Sequence, residues 1–465
     1  MRFIDFKKET ILIIITFTAR NHNKIKLKMS DATKNQLKKS LGLSFNIAVL
    51  IGGTIGVGIL RTPGTIAEML DNYWLIIASW LFGGFYVLLG ANSYSELATM
   101  LPKAGGSYNY IKRALGEYAG FLSGWFDYIV NAIPPAFYCI VISEYTIILF
   151  PELANYSTVI SISLLAAFVL LHLSGVKNGS VIQQITSFLK VICFVALVIA
   201  CFVYSGVEVP KIKTDNSIFQ IGLIFGFFKS LQLIIGTYNG WNSVCFFAEE
   251  NENPSKNIPK SLYSGVLLVI VIYVLVNAAF FHVLPIETLA KSNLAAADVA
   301  KILFGENGAK IVTVISIFSL ISILNAFMMI PPRILYGLSR DGFFIKKGIT
   351  VNKGGTPIVA LLVSSLFSLF LICIGSFEVL FSFAAFISII VWGLAYFSLL
   401  KLRTKEPDLP RPYHSFWYPW STIIAIVASI ALLIGFIYSD PKSFVIIVGI
   451  TLISYPLFLV LKKKK

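Results

Sequence analysis

The sequence predicts an all-α membrane protein of about twelve transmembrane helices, and three observations lead there: composition, the recurrence of long apolar runs, and the sidedness of positive charge. Hydrophobic residues make up 57% of the 465 and charged residues 13%, with a mean hydropathy of +0.80. That leaves too little polar surface for a water-soluble globule. Apolar runs of roughly 18–25 residues, the length of helix that crosses about 30 Å of hydrocarbon, recur along the whole chain between short polar or Pro/Gly-containing loops.

The formal net charge of +15 would suit a nucleic-acid partner, but its distribution argues otherwise. With the N-terminus inside, 29 of the 38 Lys and Arg residues fall on the cytoplasmic side, as the positive-inside rule requires. Only Lys211, Lys213, Lys291, Lys301, Lys310 and Lys442 fall in outer loops, and Arg61, Lys190 and Lys229 lie inside spans. No basic stripe with interleaved aromatics remains for nucleic acid. The charge reports topology: a multi-pass protein of the cell membrane with both termini cytoplasmic and the bilayer as its surroundings.

Taken in order, residues 1–40 form a basic N-terminal tail. Its run Ile11–Ile15 is too short to span and Met1–Ala19 lacks a small-residue cleavage site, so it reads neither as a signal peptide nor as a bundle helix. A start at Met29, with residues 1–28 an extension, is the alternative. The first five spans are Leu41–Met69, Trp74–Leu101, Gly116–Phe150, Ser157–Leu173 and Val181–Ser205. The next five are Ile218–Phe247, Leu262–Leu284, Ala309–Pro332, Pro357–Ile374 and Phe377–Leu400. Phe416–Tyr438 and Ser443–Leu461 follow, ahead of the basic tail Lys462–Lys465. Pro102, Pro151, Pro285 and Pro357 sit at span edges, where a missing N–H and a fixed φ begin or end helices most cheaply.

Two of these spans carry glycine-rich breaks: Gly52-Gly53-Thr54-Ile55-Gly56-Val57-Gly58 in the first and Gly236-Thr237-Tyr238-Asn239-Gly240-Trp241 in the sixth. Unwound backbone at membrane depth survives only where protein or ligand satisfies it, so two breaks point to one buried site. Their positions divide the first ten spans into five plus five, residues 41–205 and 216–400. A five-span unit that starts inside ends outside, so the second copy enters the membrane in the opposite sense, an inverted repeat of the kind secondary transporters use. Residues 416–461 are then two additional helices.

The breaks also have opposite polarity. Gly56 and Gly58 permit non-helical backbone, and a half-helix restarting near Ile59 presents free N–H groups and a positive dipole end to a carboxylate. The second break would offer the carbonyls of Gly236–Asn239 to an ammonium group. Together they describe a receptor for an α-amino acid backbone. The competing explanation, glycines that only let helices approach closely, accounts for one such stretch better than for two in corresponding spans.

Several motifs carry a family resemblance. GTIGVGILRTPG at Gly53–Gly64, PKAGGSYNYIKRALG at Pro102–Gly116, FLSGW at Phe121–Trp125, YNGWN at Tyr238–Asn242, AEENENPSKNIPK at Ala248–Lys260 and LSRDG at Leu338–Gly342 together resemble the amino acid-polyamine-organocation (APC) superfamily, and within it bacterial relatives of the L-type amino acid transporter branch. The resemblance covers the first ten spans and implies a LeuT-like 5+5 inverted-repeat fold, alternating access, and a permease or exchanger of amino acids. It also implies that the backbone amides of Ile55, Gly56, Val57, Gly58 and Ile59 hold the substrate carboxylate and the carbonyls of Gly236, Thr237, Tyr238 and Asn239 its amino group, with Thr54, Gly240 and Trp241 as further substrate-binding residues. The chain departs from the pattern at Val57, where relatives often carry Ser or Ala, and at Gly236, where the branch often has an aromatic gate residue.

Lys190 lies deep within the fifth span, a placement costing about 2.5–3.5 kcal/mol on insertion scales. In the family, a lysine at the matching position stands where sodium-coupled relatives bind Na⁺. The resemblance therefore implies a coupling or gating role for Lys190, by protonation or by simple tethering, with proton coupling or exchange in place of Na⁺. Asn325 and Arg333 match the family's eighth span, whereas Ile323 and Leu324 replace the small or polar residues common there. Asp127 is expected to face the bundle interior. Arg61 and Glu68, two turns apart on one helical face, either pair with each other or face an aqueous vestibule, and Lys229 is expected to snorkel.

An enzyme would need convergent acid, base, nucleophile or metal groups. His22, His172, His282 and His414 are scattered, and Cys139, Cys193, Cys201, Cys245 and Cys373 lack the spacing of a metal or redox site. No cofactor, metal or catalytic residue is expected. Some relatives bond covalently to an ancillary glycoprotein through a cysteine in the loop after the third span; Pro151–Tyr156 has none, so no such subunit is expected. A polyamine or organocation transporter of the same fold, or a transporter-like amino acid sensor, remains as the alternative function.

Overall fold

The computed structural model describes residues 36–205, 221–292, 294–374 and 377–463. The extension considered for residues 1–28, the outer-loop Lys211 and Lys213, and the last two lysines lie outside the described residues, as does the Val57 side chain. Among the described residues the chain is helical throughout, with β pairing confined to the isolated bridges Leu41 to Asn251 and Val351 to Pro357.

The first apolar run forms α1 (Leu43–Thr54) and α2 (Val57–Leu70), followed by α3 (Tyr73–Met100), the short α4 (Ser107–Leu115), and α5 (Glu117–Ala132) leading directly into α6 (Pro134–Leu149). Helices α7 (Ser157–Leu173), α8 (Val176–Val203) and α9 (Ile221–Tyr238) come next, and a 3-10 helix at Ser243–Glu250 closes the second broken span. The chain continues through α10 (Pro254–Val283), the small α11 (Ile286–Leu289) and α12 (Ala295–Phe304), the long α13 (Glu306–Arg340), α14 (Ile358–Ile374), α15 (Phe377–Lys405), α16 (Trp420–Ser439) and α17 (Pro441–Lys463). Ten helical segments among the described residues are long and apolar enough to cross a bilayer, and Ile358–Cys373 is a shorter apolar one. This is a multi-pass membrane protein.

Sequence boundaries and helix boundaries differ in one systematic way. Helix α10 starts eight residues before the apolar run at Leu262, α8 starts five before Val181, and α13 runs eight past Pro332. Hydropathy marks the part of a helix that lies in hydrocarbon, whereas i to i−4 bonding continues into polar residues beyond it. Pro254 begins α10 at the first helical turn, where its missing N–H would be unpaired anyway. Pro331 and Pro332 lie inside α13; the Arg333 guanidinium, 2.9 Å from Met329 O, adds a side-chain donor at this turn, where the prolines supply none. The loops after α3 and after α10 are themselves helical. Helix α4 is amphipathic, burying Tyr108, Ile111 and Ala114 while Arg113 faces out.

Burial separates an inner from an outer set of spans. The most apolar stretch of Leu43–Leu70 is 76% buried and that of Pro441–Lys462 only 17%, so the broken first span lies at the centre and α17 faces the surroundings. At the end of the bundle that carries Leu41, polar contacts draw the helices together. Ser40 and Leu41 donate backbone N–H bonds to Glu250 O, and Glu252 N–H donates back to Leu41 O. Glu250 forms a two-pronged bond with Arg333 at 2.8 and 3.0 Å, both side chains essentially inaccessible. Around it, Arg340 reaches Glu249 at 2.8 Å, and Glu249 also accepts the Ala104 N–H. Asp341 accepts from Tyr108 at 2.6 Å and Lys112 at 2.7 Å. Burial alone would raise the Asp341 carboxyl, but the Lys112 and Tyr108 bonds outweigh it and hold it below the usual carboxylate range.

A buried pair is costly to halve, because the surviving charge keeps its desolvation penalty without its partner. Arg333→Ala should therefore destabilise the protein by about 3–5 kcal/mol, seen as a sharply lower melting transition of the detergent-purified protein. The double change Arg333→Met/Glu250→Gln should recover much of that loss.

Candidate functional site

Helix α1 ends at Thr54. Ile55 (φ −77°, ψ 106°) and Gly56 (φ −138°, ψ −154°) are extended, and α2 restarts at Val57, two residues before the restart read from sequence. Gly56 lies against α13: a Cβ there would come within 2.7 Å of Ile323 Cδ1. No side chain caps the N-terminus of α2, so its first-turn N–H groups have no intrahelical partner and carry the positive end of the helix dipole.

The second break falls slightly later than the sequence suggests. Helix α9 continues through Gly236 and Thr237 to Tyr238, and the unwound stretch is Asn239–Asn242. Gly240 takes φ +102°, and a Cβ on it would lie 2.4 Å from Gly53 O. Both the backbone conformation and the close approach of the two broken spans require glycine there. One turn further along, a Cβ on Gly58 would lie 2.8 Å from Thr237 Oγ1. The two breaks thus touch along their length.

Their shared space is a small cavity with a volume of about 40 Å³. Thr54, Gly56 and Gly58 line it from the first break, and Gly236, Thr237 and Asn239 from the second. The far walls come from α6 and the residue before it (Ile133, Pro134, Phe137, Tyr138), α13 (Ile323, Phe327) and α15 (Ala384, Ala385). None of these wall residues is charged. The sequence reading missed the far walls, and nothing in the run Ile133–Tyr138 except its Pro134-Pro135 pair distinguishes it from any other span.

The remaining predicted residues divide by role. Ile55 and Ile59 are buried beside the break without lining the cavity, and Val57 contributes the first backbone turn of α2. Tyr238 packs against Trp80 and Tyr273, and Trp241 against Tyr94 and Trp392, so both anchor the second break from behind. Gly240 joins the breaks. Asn325 lies off the cavity, donating to Gly179 O at 3.0 Å and Gln183 Oε1 at 2.7 Å. It fastens α13 to α8.

Carbonyls freed at the end of α1 are taken by two side chains. Lys190, itself buried, reaches Gly52 O at 3.1 Å and Ile55 O at 2.5 Å from α8. The Tyr273 hydroxyl from α10 lies 2.8 Å from Thr54 O and 2.9 Å from Thr237 O, between the two breaks. Tyr273 carries no signal in the sequence; only the fold brings it there. Ser187 adds a bond to Ala48 O at 2.8 Å and stands 3.1 Å from Ser322. In the second break, Gly236 O already accepts from Asn239 N–H and Tyr238 O from Trp241 N–H. A carbonyl has a second lone pair, so these oxygens offer one further acceptor site each. Among the described residues no group of three His, Cys, Asp or Glu side chains is placed to hold a metal.

Comparison with known proteins gives this arrangement its context. The family model for amino acid permeases matches residues 41–460. The chain is 28% identical over 448 residues to the serine/threonine exchanger SteT of Bacillus subtilis, covering 93% of this chain and 98% of that protein. It is 30% identical over 442 residues to the large neutral amino acids transporter small subunit 2 of Oryctolagus cuniculus, covering 91% and 80%. The b(0,+)-type amino acid transporter 1 of Mus musculus is 27% identical over 428 residues, covering 89% and 85%.

The close approach at Gly240 makes a direct prediction. Gly240→Ala sets a methyl group against Gly53 O in a backbone conformation that disfavours it, and should reduce substrate binding at least about tenfold, with strain of about 1–3 kcal/mol at the break. Ligand-dependent thermal stabilisation of the purified protein would measure it. Wild-type affinity in the alanine variant would show that the breaks do not depend on this contact.

Proposed function

Because this chain belongs to the amino acid permease family, we propose that it is a secondary transporter, a permease or exchanger that moves α-amino acids by alternating access around the cavity between the two breaks. The observation that carries the reading is the polarity of that cavity. Gly56 and Gly58, at the start of α2 where no side chain caps the helix, line it from one side, and Gly236, Thr237 and Asn239 of the second break from the other, an arrangement that supports a carboxylate held by backbone N–H groups and an ammonium held by carbonyls. No charged wall residue is present to pair with a substrate side chain, which favours neutral amino acids over polyamines or other organocations, whose extra positive charges would be buried unpaired.

On this reading the twelve spans are the ten long apolar segments together with the broken α9 span and α14. Residues 41–205 and 216–400 form two five-span units of opposite sense, 416–461 the two additional helices, and the N- and C-terminal tails are cytoplasmic. Transport is Na⁺-independent: the Lys190 amino group already occupies carbonyls that a cation would otherwise bind. Whether Lys190 exchanges a proton or acts as a fixed tether, its bonds to Gly52 O and Ile55 O make the end of α1 move with α8. The ion pairs around Glu250 and Arg333 close the inner end, and opening there requires them to part.

Uptake by proteoliposomes, challenged with each common amino acid and with polyamines, with and without Na⁺ and a pH gradient, tests the proposal. Small neutral amino acids should compete, polyamines should not, and Na⁺ should have no effect. A screen in which no amino acid competes would refute the transport reading. Removing two hydrogen bonds to the first break, each worth about 0.5–1.5 kcal/mol, Lys190→Ala should cut transport at least about tenfold or uncouple it while the protein still purifies as a folded monodisperse species. Full proton-coupled uptake by that variant would reject the coupling role.

A further inference from the structure

A second cavity lies at the end of the bundle that carries Leu41, remote from the breaks. Its free volume is about 280 Å³, and Lys103, Lys112, Arg113 and Arg340 line it, with Leu101, Asn109 and the single carboxylate Asp341. Three of the four cations are each held by one carboxylate, so four positive charges meet three negative ones and the pocket keeps a single net positive charge, carried by Lys103, toward which an anion is drawn. Asp341 is engaged by Lys112 and Tyr108, Glu406 grips Arg113 in a two-pronged bond, and Glu249 shares Arg340 with the Ala104 N–H. Lys103 is exposed, and among the described residues it forms no salt bridge.

We propose that this pocket binds the phosphate of an anionic lipid headgroup in the leaflet on the side of the N-terminus. Depth argues for lipid: the pocket lies where two apolar spans end, Tyr73–Met100 and Asn307–Arg340, the level at which headgroup phosphates sit and basic pockets between helices recognise them. The chain's own termini are unsuited as occupants. The residues before Leu41 are rich in Lys and Arg, and Lys462–Lys465 is wholly basic. The site also touches the transport machinery. Lys112 and Arg340 are the cations that hold Asp341 and Glu249, and an anion drawn to them competes for the contacts that close the inner end.

The test is a lipid titration of the detergent-purified full chain by native mass spectrometry, comparing phosphatidylglycerol with phosphatidylcholine. A parallel thermal-shift series uses inorganic phosphate. Lys103→Gln/Arg113→Gln removes two pocket cations and leaves the Lys112 and Arg340 contacts in place; Lys103→Arg/Arg113→Lys keeps the charge and controls for folding. Wild type and the charge-conserving variant should retain phosphatidylglycerol at least about tenfold better than phosphatidylcholine, and the glutamine variant should lose that preference. Equal preference in wild type and glutamine variant overturns the site. Stabilisation by inorganic phosphate without any preference for phosphatidylglycerol overturns the lipid assignment.

Discussion

Everything distinctive in this molecule follows from one constraint: inside a bilayer, a backbone N–H or C=O that leaves a helix must find another partner. Breaking the first span at Ile55–Gly56 strands carbonyls at the end of α1 and N–H groups at the start of α2. The protein treats the two ends differently. Lys190 and Tyr273 come in from α8 and α10 to take Gly52 O, Thr54 O and Ile55 O, while no side chain caps α2. The break is thereby given a sign: Gly52 O, Thr54 O and Ile55 O are taken by protein side chains, while the donors at the start of α2 receive no side-chain cap.

That asymmetry explains why a lysine can be kept at a position that costs several kcal/mol to fill. Without it, Gly52 O and Ile55 O would lose their donor in a site too small for much water, and the first break would present acceptors as well as donors. Tyr273 has the same effect with a neutral group. Its hydroxyl proton serves one of two carbonyls at a time, and the pair of short contacts to Thr54 O and Thr237 O fixes the separation of the two breaks. The glycine contacts at Gly53, Gly58 and Gly240 set the same distance sterically. Electrostatics and packing thus specify one geometry from independent directions.

What was legible in the sequence and what was not divide along physical lines. The all-helical membrane class, the run of long apolar helices and both helix breaks could be read because hydropathy and glycine placement are local properties of the chain. Lys190 could be read because a charge in an apolar run is locally anomalous, and the fold sets it against Gly52 O and Ile55 O. The restart of α2 and the late end of α9 shifted by two or three residues because glycine permits a break without fixing where hydrogen bonding resumes. Trp241 sits in the glycine-rich motif but points into the aromatic packing of Tyr94 and Trp392; adjacency in sequence says nothing about which face of an unwound segment a side chain takes. Tyr138, Phe327 and Tyr273 were invisible for the opposite reason. Each is an ordinary residue in an ordinary span, and only the packing of distant helices brings it to the site.

On the proposed function, a division of labour between backbone and walls would have a consequence for selectivity. A carboxylate at an exposed helix N-terminus gains about 0.3–1 kcal/mol, rising to about 2 in partly buried geometry, so the polar groups orient a ligand more than they bind it tightly. Affinity must then come largely from apolar contact with Phe137, Ile323, Phe327 and Ala384, at roughly 25 cal/mol for each Å² removed from water. Such walls discriminate weakly between similar side chains, about 1–3 kcal/mol for a methylene, and strongly against a charge with no partner. On the proposed function, a site built in this way would recognise the invariant part of an amino acid through main-chain atoms that mutation cannot easily remove. It leaves the variable part to side chains such as Ile323, and to the absence of one at Gly236, so single substitutions there can move the range of accepted substrates without disturbing the breaks.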